Sequence, residues 1–204
     1  MTDQQERPAG LRERTRRAVQ AEIVAAAMRL FLERGFEATS MDQIATEVGM
    51  SRRSLFRYFG TKEDIVLGDH AAHGQVLRAA LEERPADEPP WHALRAALVA
   101  LLRSLPYDSE DFLKITGMLH ASPALRARRG EKQQQWTELL VPDIAARLGD
   151  ADDPRIRLRA HALVACAVTC SDVALEAWVD SGGAVGVEDA FDEAVAAVRG
   201  QALR

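Results

Sequence analysis

Apolar residues recur along this chain at intervals of three and four, the spacing of one helix face. Val19, Ile23, Ala26 and Leu30 stand in such a row, with Ala27 and Phe31 beside them, and predict a first helix over 15–34. Gly35 ends it as a left-handed cap, and Phe36 folds back on it. Ser40 is a predicted N-cap for a short helix over 41–48, and Ser51 for another that runs to Tyr58. Thr61, with Asp64 three residues on, resembles a capping box and opens a fourth helix to Leu81. Residues 84–90 hold three prolines and two acids and read as a loop. Five more helices follow, over 91–105, 109–121, 124–148, 154–181 and 187–199. Pro106, Pro123, Pro154 and the 181–183 stretch punctuate them, and Pro142 should kink or divide the helix it falls in.

The pattern predicts an all-α fold of about nine helices, and composition agrees. Of the 204 residues 47% are hydrophobic, with Ala, Leu and Val dominant and aromatics at 5%. No run of about 18 apolar residues suggests a membrane span, and residues 1–17 lack the apolar stretch of a secretory signal. Cys166 and Cys170, four apart in an apolar stretch, read as small core side chains and not as a disulfide framework. The expected location is the cytoplasm, with no membrane partner.

Charge divides the chain. The net charge is −5, but residues 1–62 carry 11 Lys+Arg against 8 Asp+Glu, and residues 63–204 carry 15 against 23. A basic N-terminal third points to a polyanionic partner for that part. Arg7, Arg12, Arg14, Arg16 and Arg17 lie in or just after an expected flexible arm, residues 1–14, which either reaches a minor groove or stays a disordered tail.

The informative segment is 39–65. Two short helices flank a turn in which Gly49 accepts positive φ and Met50 closes the corner. Ile44, Ala45, Val48, Leu55 and Phe59 are the expected buried residues, and Ala45 lets the helices approach closely. This is the specification of a helix-turn-helix. The second helix then exposes Arg52, Arg53, Ser54 and Arg57, and guanidinium is the side chain best suited to guanine O6 and N7 in the major groove. One helix of this size reads only a few base pairs, so useful specificity implies two copies on a palindromic site.

These residues resemble the TetR family of transcriptional regulators. The shared features are Ile44-Ala45, Gly49-Met50-Ser51, the aromatics Phe56, Tyr58 and Phe59, and Lys62, within about residues 15–66. The resemblance implies a three-helix DNA-binding domain over 15–62, joined to a larger helical domain for ligand binding and dimerisation over 63–204. It implies base reading by Arg52, Arg53, Ser54 and Arg57. It implies phosphate contacts from Thr39, Ser40, Tyr58 and Lys62. Phe56 stands where the family usually has Tyr, so a phosphate hydrogen bond is lost there.

A helix apolar on two faces, 154–181, should meet the core with one face and a second subunit with the other. The expected dimer interface is Val164, Val168 and Leu175, with Phe191, Val195 and Val198 of the last helix. The expected ligand pocket draws on Trp91, Phe112, Thr116, His120, Trp136, Thr169 and Trp178, mostly apolar with a few polar fixers. The stretch from Ala160 to Trp178 is similar to the branch of the family with acyl-CoA-like or lipophilic ligands. The expected partners are thus a DNA operator, a second copy and a small effector.

No catalytic constellation and no cofactor motif is present in the sequence, so an enzyme is not expected. His70, His73 and Asp69 lie near one another but lack a further ligand for a metal. The competing reading is a small helical enzyme or lipid carrier whose basic segment is incidental.

Overall fold

The computed structural model describes residues 10–68, 70–105 and 109–200. It divides into two compact units that meet between Gly68 and Asp69. Arg7, Asp69 and Pro106 lie outside the described residues, as does the His70 side chain, and with them that histidine pair.

The first unit holds four helices: α1 (Leu11–Arg34), α2 (Met41–Glu47), α3 (Arg52–Phe56) and α4 (Lys62–Leu67). α1 buries the predicted stripe, with Ile23, Ala27, Leu30 and Phe31 all at 2% exposure or less. The rings of Phe31 and Phe36 meet at 5.2 Å, and Gly35, at φ 88°, donates its N–H to the Phe31 carbonyl. So the chain turns back where the sequence pattern ends. At the other end α1 starts four residues before the predicted start. Leu, Arg and Glu are good helix formers, and the Thr15 hydroxyl donates to the Leu11 carbonyl. The part of the expected arm from Leu11 to Arg14 is therefore helical.

The single fourth helix expected over 61–81 is two, α4 and α5 (His70–Glu82). Gly68 separates them at φ 65° and ψ −158°, a conformation open to glycine and strained for other residues. α4 packs on α1 and belongs to the first unit, so the boundary falls at Gly68 where the sequence reading placed it at residue 62.

The second unit comprises α5, α6 (Pro90–Ser104), α7 (Ser109–Ala121), α8 (Pro123–Leu148), α9 (Pro154–Asp180) and α10 (Val187–Val198). Its core gathers Leu77, Leu81, Leu94, Leu140, Ile144 and Val164 from four helices. Pro142 does not divide α8, which continues as one element despite the missing N–H. α9 is central and packs on α6, α7, α8 and α10. By length and composition α9 would pass for a membrane span, with mean hydropathy 1.6 over 18 residues. Its Asp172, however, is ion-paired with Arg129 of α8 and accepts from Gln133 Nε2 at 2.8 Å, which ties it into the bundle.

Candidate functional site

Local sequence builds the corner of α2 and α3. The Ser40 hydroxyl accepts from the Gln43 N–H, and the Gln43 side chain accepts from the Ser40 N–H at 2.8 Å, a complete capping box. Gly49 turns the chain at φ 65°, and the Met50 N–H reaches back to the Ala45 carbonyl at 2.9 Å. Ser51 then caps α3 by accepting from the Ser54 N–H. Ile44, Ala45, Leu55 and Phe59 are buried, so the two helices share one small core. Each short helix thus has one of its first N–H groups satisfied by the side chain of its N-cap serine.

What the corner exposes is basic. Arg52, Arg53 and Arg57 all face solvent. Arg52 pairs with Asp42 at 3.2 Å and lies over the Phe56 ring, 5.4 Å from its centroid. Both members of that ion pair are more than 60% exposed, so it is a weak surface pair that does not bury the guanidinium. Ser54 is half-buried, and its hydroxyl sits 2.9 Å from that of Ser51. Phe56 is 41% exposed and extends the same surface as an apolar patch. Tyr58 is half-buried, and Ser40 is exposed with its hydroxyl engaged in the cap.

Two expected phosphate contacts are corrected. Thr39 is 2% exposed, and its hydroxyl donates inward to the Gly35 carbonyl at 2.8 Å. Lys62 folds against its own unit: Nζ donates to the Phe36 carbonyl at 2.8 Å and to the Thr39 carbonyl at 3.3 Å, and stands 4.1 Å from the Phe36 ring centroid. A cation in the first turn of α4 opposes the helix dipole. Here the carbonyls that follow α1 offset that cost, so Lys62 is a staple between α4 and the loop after α1. The expectation failed because those carbonyls are 23 and 26 residues away in sequence.

In the second unit four of the seven expected pocket residues come together. Phe112, Thr116 and His120 form one stripe of α7 at four-residue spacing, and Trp178 of α9 meets Phe112 with ring centroids 5.2 Å apart. Thr116 is 1% exposed, and its hydroxyl has no hydrogen-bond partner; the buried Nδ1 of His120 has none either. Burial, and then the Arg129 guanidinium, hold the His120 imidazole below its ordinary pKa; Glu176, Asp172 and the Thr116 carbonyl pull weakly the other way. Arg129, Gln133 and Asp172 complete a polar cluster around that stripe that sequence reasoning missed. Asp172, an acid within the apolar stretch of α9, was the available signal.

Trp91 and Trp136 are half-buried and pack against the main core. Thr169 is exposed on the outer face of α9, its hydroxyl donating to the Ala165 carbonyl one turn back, so it is not a pocket residue. The dimer residues need a larger correction. Val164, Val168, Leu175, Phe191 and Val195 are at most 8% exposed within a single chain, because α6, α8 and α10 cover that face of α9. Within the chain they are core. Val198 alone of the six is open, at 56%, alongside Leu158 at 72% and Val173 at 50%.

Residues 23–68 match the family described as bacterial regulatory proteins, tetR family, and residues 88–202 match the MftR C-terminal domain. The transcriptional regulator TcmR of Streptomyces glaucescens is 33% identical over 151 residues, 71% of this chain and 67% of that protein. The regulator MftR of Mycobacterium tuberculosis is 32% identical over 60% of this chain, which spans 62% of its length. Two solved structures share the fold at low identity. Thermus thermophilus FadR in complex with lauroyl-CoA superposes at a TM-score of 0.54, with 21% identity over 91% of this chain and 96% of its own. The SmeT–triclosan complex does so at 0.57, with 20% identity over 88% and 91%.

Proposed function

The chain belongs to the TetR family of bacterial transcriptional regulators, DNA-binding proteins and not enzymes, and from that membership we propose that it is a repressor released from a palindromic operator by a small, largely apolar ligand. The observation that carries the DNA-reading part is the pair Arg53 and Arg57. Both are exposed, Arg53 within α3 and Arg57 at its C-cap, on a helix whose N-terminus is capped and whose inner face is locked by Leu55. The guanidiniums are presented on a rigid corner, so little freedom is lost when they enter a groove. Arg52 joins them once it leaves Asp42, and Phe56 offers an apolar contact to a thymine methyl.

The second unit is the effector-binding and dimerising part in this reading. The aromatic pair Phe112–Trp178 and the unpartnered Thr116 and His120 atoms support an effector site there, since buried polar groups without partners are rare. The lauroyl-CoA of FadR and the triclosan of SmeT support an acyl-CoA-like or lipophilic ligand. The dimer forms on the outer stripe of α9, Leu158, Ala162, Thr169 and Val173, with Val198 of α10. That stripe leaves apolar side chains in water in a single chain. The protein works in the cytoplasm, where the DNA is. The effector acts by binding one separation of the two recognition corners better than another.

Fragments selected from genomic DNA with the intact protein supply the operator, and fluorescence anisotropy measures its affinity. Arg53→Ala should weaken specific binding by about 1–3 kcal/mol and relax the preference at one base position. An unchanged binding profile would remove Arg53 from the base-reading set. Fragments bound no better than random DNA would overturn the regulator as a sequence reader.

A further inference from the structure

α1 continues past the point where its packing stops. The stripe that buries Leu30, Ala27 and Ile23 passes through half-buried Val19 and continues, at the same helical spacing, to Arg16 and Arg12. Arg12, Arg14, Arg16 and Arg17 are all exposed, as is Leu11 at 73%. From Leu11 to Val19 the helix projects roughly 12 Å at 1.5 Å per residue. Two turns with no buried face gain nothing from tertiary packing. Cations at a helix N-terminus also oppose the dipole. A register that changes from apolar to guanidinium where the protein ends is suited to a polyanion.

The direction of the projection is set within the first unit. α2 packs against the C-terminal part of α1: the Thr39 hydroxyl just before it lies 3.5 Å from the Leu30 carbonyl, and Glu47 at its end pairs with Arg29 at 2.6 Å. The basic turns lie at the opposite end of α1, Arg16 being roughly 20 Å from Arg29 along the axis at 1.5 Å per residue. Arg14 sits on a different stripe, in line with exposed Ala18, Ala21 and Ala25.

We infer that these two turns are a second DNA contact, in which Arg12 and Arg16 hold backbone phosphates flanking the groove that α3 enters. This rests on the DNA-binding reading of the first unit. The contact carries no sequence information and raises affinity through counterion release.

The test is anisotropy of the full-length protein on a selected operator fragment across a series of KCl concentrations. The double variant Arg12→Gln/Arg16→Gln should bind roughly tenfold or more weakly. In a dimer its slope of log affinity against log salt should be shallower by about 3–4, at about 0.9 per phosphate. Arg14→Gln should behave as wild type. Trimming the fragment to the two half-sites should abolish the difference between the double variant and wild type. An unchanged slope in the double variant overturns the inference while leaving the regulator reading intact, as does an equal loss in Arg14→Gln or a difference that survives trimming. If wild type itself binds no fragment in a salt-dependent way, the regulator reading falls and the inference with it.

Discussion

The corner of α2 and α3 and the stripe along α7 treat buried polarity in opposite ways. In the corner, Ser40, Gln43, Ser51 and Thr61 each satisfy a backbone N–H or its cap within three residues, and Thr39 and Lys62 close the remaining carbonyls of the loop. Along α7, the Thr116 hydroxyl and the Nδ1 of His120 are buried without a hydrogen-bond partner. A surface that must fit a rigid duplex benefits from being complete before it binds. A site that answers to a small molecule has reason to be left incomplete, since the ligand can then supply what the fold does not. The two units differ, on this view, in what is meant to complete them.

That contrast can be broken at several points. The largest effect is expected in the corner. Leu55→Ala empties a fully buried position in a helix of only five residues and should cost about 2–5 kcal/mol, read as an earlier unfolding transition in urea and a loss of operator binding. A loss under about 1 kcal/mol would mean the corner is not held by its core. Lys62→Met comes next. It removes charged hydrogen bonds to two carbonyls and the contact with the Phe36 ring, and should destabilise by about 1–3 kcal/mol. The salt slope of DNA binding should stay as in wild type, whereas a phosphate-binding lysine would lower it by about 1 per protomer.

Smaller effects test the other side. Thr116→Val keeps the side-chain shape and deletes the unpartnered hydroxyl, so stability should rise by about 1 kcal/mol while effector release of the operator weakens. A loss of stability would show that the hydroxyl is satisfied in solution. The smallest effect is on pH. His120 is held neutral in the folded chain, so the unfolded chain takes up its proton first as pH falls through 6.5. Stability should therefore decline from that point down to the folded pKa and then level. His120→Gln should flatten this limb of the urea midpoint against pH, and an unaltered profile would assign the acid sensitivity to other groups.

How much could be read from the chain differs by region for the same reason. Around α2 and α3 every decisive interaction is three to five residues long, so Ser40, Gly49 and Ser51 could be placed from the order of residues alone. Lys62 was misassigned because its carbonyl partners lie 26 and 23 residues back, and Thr39 because its burial, with the hydroxyl turned to Gly35, depends on packing. In the second unit the helices were legible from their periodicity, but α9 is apolar on more than one face, and periodicity does not say which face turns inward. Five residues expected to meet a second copy are core, and the open stripe is the one that carries Leu158 and Val173.

By itself, then, the sequence determined the all-helical fold, the recognition corner and the basic character of its outer surface, because hydrogen-bonded caps and 3.6-residue periodicity act at short range. Only the tertiary structure decided that Lys62 is a staple, that Gly68 divides one expected helix into two, and that the Thr116 hydroxyl and the His120 Nδ1 lack hydrogen-bond partners. Each of these depends on backbone geometry or on groups brought together by packing, and neither is encoded in the spacing of residues along the chain.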